Sequence, residues 1–179
     1  MSNIVILVGS IRKHGNTALL AKSFADGAAL NNNVEIVSVA DYKVNPCIGC
    51  NNCVKNAENR CFQKDDMTQI YEKLKNADIV VVASPIYFYG ISAKLKAIVD
   101  RLHNPVRNTF NIKKLGLLLV GADVLPNLFD PVVMQYQMTL DYFKLESIGS
   151  VLVGGVEKIG DINDHAALKE AYELGASIK

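Results

Sequence analysis

Five apolar runs, 4-IVILV-8, 34-VEIVSV-39, 79-IVVVAS-84, 115-LGLLLVG-121 and 150-SVLVGGV-156, recur along the chain with segments of helical spacing between them. A strand that is apolar at successive positions, not only at alternate ones, is buried on both faces, as in a parallel sheet. Thr17 to Leu30 carries Leu20, Phe24 and Ala28 at steps of four, and the segment from Phe129 carries Val133, Tyr136, Leu140 and Phe143. A last helix opens after Asp164 and presents Leu168, Ala171, Tyr172 and Gly175 on one side, while Met67 to Asn76 and Ser92 to Leu102 fill the two remaining gaps. The order β-α, five times over, predicts an α/β fold. Its expected form is a doubly wound, five-stranded parallel sheet in the order 2-1-3-4-5, with helices on both faces.

A length of 179 residues predicts one domain over 1–179 with a full hydrophobic core. Nineteen basic residues against eighteen acidic ones leave a formal charge of +1, which gives no electrostatic case for a nucleic-acid or membrane partner. No basic region precedes 4-IVILV-8 and the run is too short for a signal peptide or a membrane span, so a cytoplasmic location is expected. The one long unpatterned segment, Ala40 to Asp65, is read as a loop inserted between strand 2 and helix 2. It holds all four cysteines: Cys47, Cys50, Cys53 and Cys61. In a reducing compartment such a group is more in keeping with a metal, cluster or redox site than with a disulfide framework.

Ligands of an open α/β sheet sit outside the carboxyl ends of its strands, near the point where strand order reverses. The first βα loop, 9-GSIRKHGNTA-18, lies at such a place and is built for an anion. Gly9 and Gly15 let the backbone turn and approach closely, and the following helix offers unpaired amides and a partial positive charge. Ser10 and Thr17 add hydroxyls, Asn16 an amide and Arg12 a planar fork suited to phosphate oxygens. Two other phosphate loops are excluded. Five residues, not four, separate Gly9 from Gly15 and Asn16 stands where a P-loop has lysine; Ile11 stands where the dinucleotide fingerprint has its second glycine.

The third run is followed by 85-PIYFYG-90, in which Pro85 is expected to end the strand, while Tyr87, Phe88 and Tyr89 place three aromatics at the carboxyl edge. Such a loop gives a planar ring flat apolar faces and backbone amides for its polar rim. In the order 2-1-3-4-5 it neighbours the first loop. A phosphate cradle beside a ring platform describes flavin mononucleotide (FMN). The loop 121-GADVLPN-127, with Gly121 and Ala122, is a third candidate wall.

GSIRKHGNTALLA, PCIGCNNC, DDM and SPIYFYGISAKLKAIVDR, with their spacing, resemble the NAD(P)H-dependent FMN reductase and iron–sulfur flavoprotein group of the flavodoxin-like superfamily. The resemblance implies FMN held non-covalently, reduced by NADH or NADPH and reoxidised by a quinone, flavin or other small acceptor. Hydride would pass through flavin N5 in ping-pong turnover, so no catalytic side chain is required. By position it assigns Ser10, Arg12, Asn16 and Thr17 to the phosphate loop, and Pro85, Ile86, Tyr87, Phe88 and Gly90 to the isoalloxazine loop; Tyr89 lies within the same stretch. It also implies a homodimer or homotetramer. No Ser-His-Asp set or carboxylate pair stands out, and His14, His103 and His165 are scattered.

The cysteine spacing is C-x2-C-x2-C-x7-C. Three closely spaced thiolates can cap one face of a cubane, and a fourth can close it. The resemblance accordingly implies a [4Fe–4S] centre on Cys47, Cys50, Cys53 and Cys61, in an electron carrier served by ferredoxin. Cluster-free thiols, as in many flavin reductases of this group, a four-thiolate zinc site and a Cys47–Cys50 dithiol relay remain open alternatives.

Overall fold

The computed structural model describes all 179 residues. Its elements are β1 (Asn3–Val8), α1 (Asn16–Ala28), β2 (Asn33–Ser38), the short α2 (Asn52–Lys55), α3 (Met67–Lys75), β3 (Ile79–Tyr87), the two-residue β4 (Gly90–Ile91) and α4 (Ala93–Arg101). A 3-10 turn at Pro105–Thr109 leads to β5 (Lys114–Val120), α5 (Asp130–Phe143), β6 (Glu146–Val153) and α6 (Ala166–Ala176). The long strands pair in parallel in the order β2-β1-β3-β5-β6, and β4 folds back antiparallel on β3. Without that hairpin strand this is the expected order 2-1-3-4-5, the flavodoxin-like arrangement. No helix is long and apolar enough to cross a membrane.

The three central strands behave as their composition demands, with β1, β3 and β5 almost wholly buried along their common length. On one face, residues such as Ile6, Val81 and Leu118 pack with Leu20, Phe24, Ala167 and Ala171 of α1 and α6. On the other, Leu7, Val80 and Leu115 pack with Ile70 and Leu74 of α3 and Leu95 and Ile98 of α4. The edge strands differ from expectation. β2 and β6 are largely exposed or half-buried, and β6 begins at Glu146, four residues before its apolar run. An edge strand needs only alternate apolar positions. Gly149, at φ +110°, absorbs a register shift against β5 at Leu115/Gly116, so the early half carries no continuous signal.

Helices α1 and α6 approach so closely that backbone meets backbone. A methyl on Gly175 would collide with the carbonyl of Phe24 and lie 2.8 Å from the amide nitrogen of Ala28, and a methyl on Gly27 would strike the carbonyl of Tyr172. Gly175→Ala should therefore destabilise the protein. The gain in helix propensity of about 1 kcal/mol is outweighed by overpacking of about 3 kcal/mol against backbone that cannot yield, and a lowered urea midpoint with unchanged slope is the expected result.

Candidate functional site

The loop from Gly9 to Gly15 is folded by its own short hydrogen bonds. Arg12 N donates to Ser10 Oγ at 3.1 Å and Gly15 N to the Arg12 carbonyl at 3.0 Å. Gly15, in extended conformation, is the N-cap of α1, and no side chain caps the helix. The first amide to find an acceptor is that of Leu19, on the Gly15 carbonyl at 3.1 Å. The amides of Asn16, Thr17 and Ala18 have no partner within the chain. With no acidic residue in that turn, the helix end is a donor-rich, positively polarised site that suits an anion. Ser10 and Thr17 lie buried beside it and Arg12 is exposed above it.

Two buried serines tie this loop to the next. Ser92 Oγ donates to the Gly9 carbonyl at 2.7 Å and accepts the Leu95 amide as the N-cap of α4, while Ser92 N donates to Ser84 Oγ at 3.0 Å. Ser84 sits at the head of the aromatic stretch, with its hydroxyl on the Pro85 carbonyl at 2.8 Å. A methyl on Gly9 would stand 2.9 Å from both Ser92 Oγ and Leu95 Cδ2 and would force these buried side chains to shift. Sequence reasoning passed over both serines. Their signal is the helix-cap pattern of 92-SAKL-95 a few residues after the Ser-Pro of the third apolar run.

Pro85 does not end the third strand. β3 runs on through it to Tyr87, and Pro85 stands opposite Val120 of β5. The pairing with β1 stops at Ala83, so the amide that proline lacks has no ladder to serve there. Ile86 and Tyr87 then pair with Ile91 and Gly90 across a two-residue turn made of Phe88 and Tyr89, at φ +47° and +61°. Such a turn needs two left-handed residues and is normally Asn-Gly. Two bulky aromatics there hold about 1–3 kcal/mol of backbone strain each. The result is a fully exposed Phe88 ring at the hairpin tip, with Tyr87 and Tyr89 half out of the protein beside it.

The third wall is organised differently from its sequence reading. Gly121 N donates to the Val153 carbonyl and the Gly121 carbonyl accepts the Val156 amide, at 2.8 and 3.1 Å. A methyl there would lie 2.5 Å from Leu128 Cδ2, so Gly121 serves packing, and Ala122 is the exposed residue beside it. The loop after β6, residues 154–160, which sequence reasoning missed, closes the edge. Gly155 N donates to the Asp123 carbonyl at 3.0 Å. The Asn16 amide spans the other end of that loop, donating to the Lys158 carbonyl at 2.9 Å and accepting Gly160 N at 3.1 Å. Asn16 thus lies in the anion loop, but both ends of its side chain are already engaged in holding a neighbour.

The cysteine segment hangs from the opposite end of α4. Arg101, buried at the helix C-terminus, donates to both oxygens of Asp65, at 2.8 and 3.3 Å, and to the Asn45 carbonyl at 3.1 Å, while Asn104 Nδ2 holds the Asn59 carbonyl at 2.8 Å. Nine helical residues, about 14 Å, separate these ties from Ser92. Cys47 and Cys50 are exposed, Cys53 lies in α2, and no three of the chain's His, Cys, Asp or Glu side chains gather into a metal-binding group. As arranged, the four thiols are not a ligand set. Burial pushes the Asp65 carboxyl up, but Arg101 and the amides of Asn45 and Met67 overcome it and hold its pKa below the usual value.

Residues 2–127 match the model of the family described as NADPH-dependent FMN reductase. The chain is 39% identical over 122 residues to an iron-sulfur flavoprotein of Methanocaldococcus jannaschii, a match that covers 66% of this chain and 62% of that relative's length. An iron-sulfur flavoprotein of Archaeoglobus fulgidus is 30% identical over 177 residues, covering 96% and 76% of the two chains. Among solved structures, an NAD(P)H:quinone oxidoreductase from Methanothermobacter marburgensis superposes over 99% of both chains with a TM-score of 0.76 at 14% identity, a likeness of fold.

Two outcomes are expected from this geometry. Replacing the strained pair by Phe88→Asn with Tyr89→Gly should raise the stability of the ligand-free chain by about 1–2 kcal/mol, read as a higher melting temperature. Asp65→Asn should cost about 3–5 kcal/mol by leaving Arg101 buried without its partner. Because the folded pKa of Asp65 lies below its unfolded value, this contribution is complete at neutral pH and drains away as pH falls below about 4. A pH series of urea midpoints should accordingly show the wild type converging on the variant in acid.

Proposed function

Because the chain belongs to the NADPH-dependent FMN reductase family, we propose that it binds FMN without a covalent link at the carboxyl edge of its sheet and works there as an NAD(P)H oxidoreductase. The observation that carries this reading is the uncapped first turn of α1, with three free amides, set beside a strained aromatic hairpin. The donor set fits the group. Amides of Asn16, Thr17 and Ala18, with Ser10, Thr17 and Arg12 side chains, would hold a phosphate dianion, and Pro85 to Gly90 would face the ring.

FMN, when bound, would supply the redox chemistry, carrying hydride equivalents from NAD(P)H to a quinone, flavin or other small acceptor in ping-pong turnover. The chain's own part is binding and orientation. Ser92 and Ser84 set the distance between phosphate loop and ring loop. Asn16 keeps the loop of residues 154–160 against the anion site, with Gly121 and Ala122 behind it. Tyr87, Phe88 and Tyr89, exposed in the free chain, would cover apolar ring surface and exclude water from it. The exposed stripe Met134, Met138 and Tyr142 on α5 supports the homo-oligomer that the sequence resemblance implies.

A second reading, an electron carrier whose four cysteines hold a [4Fe–4S] cluster and receive electrons from ferredoxin, draws on the cysteine spacing and on the names of the two archaeal relatives. It requires segment 47–61 to rearrange so that its four thiols converge.

Arg12→Ala combined with Thr17→Ala should weaken FMN binding at least tenfold, the loss of one or more charge-assisted hydrogen bonds, with an unchanged melting temperature of the ligand-free chain. Quenching of flavin fluorescence reads the affinity, and an unaltered dissociation constant would overturn the phosphate assignment. Iron and acid-labile sulfide, assayed on protein purified without oxygen, decide between the readings. About four irons per chain and reduction by ferredoxin but not NAD(P)H support the carrier; flavin without iron and rapid NADPH oxidation support the reductase.

A further inference from the structure

Between the sheet and α5 lies a cavity of about 380 Å³ that takes no residue from the anion loop and only Ile91 from the aromatic hairpin. Its floor is the apolar face of the central strands, including Leu7, Val82 and Leu117, and its roof is α5 with the 3-10 turn. Fifteen of its nineteen lining residues are hydrophobic, and Arg107 is the one charged group among them. The lining residues most open to solvent include Asn108 on the 3-10 turn and Gln135 and Phe143 on α5, which puts the mouth between those two elements.

Arg107 is held but not satisfied. One terminal nitrogen donates to the carbonyls of Leu102 and His103, and the guanidinium stands over the Phe143 ring at 5.8 Å. No carboxylate pairs with it; the chain's ion pairs all involve other residues. Its Nε is the one buried side-chain polar atom in the protein without a hydrogen-bond partner. A buried N–H left unmade is costly, and a guanidinium with spare donors is shaped to receive a carboxylate. The cavity volume falls in the range of small-ligand pockets, apolar with few polar anchors.

We propose that this cavity is a second binding site, for a small apolar carboxylate whose hydrocarbon body lies against the sheet and whose head meets Arg107. The charge excludes cationic ligands, and the apolar lining rejects sugars and nucleotides, which would lose their hydration without replacement partners. The lining shares only Ile91 with the hairpin and nothing with the anion loop, so carboxylate occupancy should leave FMN content unchanged.

The test is calorimetric titration of the full-length, FMN-loaded protein with hexanoate, octanoate and decanoate, and with decanol as the uncharged control. Affinity should rise about fifteenfold for each added pair of methylenes until the cavity is full. Arg107→Met should weaken decanoate binding at least tenfold and leave decanol unchanged. Thr139→Phe, which fills the cavity from α5, should abolish binding of both, and neither variant should alter NADPH oxidation measured without carboxylate. Absence of saturable binding at millimolar ligand, affinity independent of chain length, equal decanoate affinity in Arg107→Met, or undiminished binding in Thr139→Phe would each overturn the proposal. So would a dimer, seen by sedimentation, that takes up no carboxylate because a second copy covers the mouth.

Discussion

The hydroxyl of Ser92 donates to the Gly9 carbonyl and caps α4, while its amide is held by Ser84, and the candidate site depends on that junction. In a parallel sheet the loops at the carboxyl edge share no ladder with one another. Something other than strand pairing must therefore set their separation. Here a buried side chain small enough to fit against Gly9 does so, and Asn16 repeats the device on the far side by spanning the loop after β6. Both residues satisfy backbone groups that would otherwise be orphaned, which is why they are rigid supports as well as polar ones.

That rigidity lets the chain hold strain where a ligand would use it. Phe88 and Tyr89 occupy left-handed backbone that their side chains disfavour, and the hairpin is kept in place by pairing through Ile86 and Ile91 with a core behind it. The same helix that carries Ser92 at its start carries Arg101 at its end, where the ion pair with Asp65 fastens the cysteine segment. α4 is thus the spacer between two candidate regions, one a donor-rich edge and the other a thiol-bearing loop. The third feature, the cavity under α5, exists because that helix buries only Val132 and Leu140 and rests on the sheet through Tyr136, whose hydroxyl reaches the Leu115 carbonyl at 2.6 Å.

Much of this was legible in the chain itself. Runs such as 79-IVVVAS-84 announce buried parallel strands because they are short, β-branched and apolar on both faces. Glycines flanking Ser10 and Arg12 before a helical repeat mark a candidate anion loop, and the structure leaves the first amides of α1 unpaired there. Less was legible at the edges. β6 starts before its apolar run because an edge strand has one solvated face, and β3 continues through Pro85 because the neighbouring strand has already ended. Gly121 reads as an opening in a wall, yet it is pinned between β5 and the loop after β6.

The sequence by itself determined the layer architecture, the candidate position of an anion loop and the presence of four cysteines in one unpatterned segment, since each follows from local periodicity or composition. Only the tertiary structure decided which donors remain free, which are already engaged, how the hairpin presents its aromatics and how far the thiols stand from the anion loop. Those properties depend on partners brought from 83 to 144 residues away, as Ser92 Oγ to Gly9 and Gly160 to Asn16 illustrate. Hydrogen-bond satisfaction is a property of the packed chain, and no local pattern encodes which of two competing acceptors a buried donor will meet.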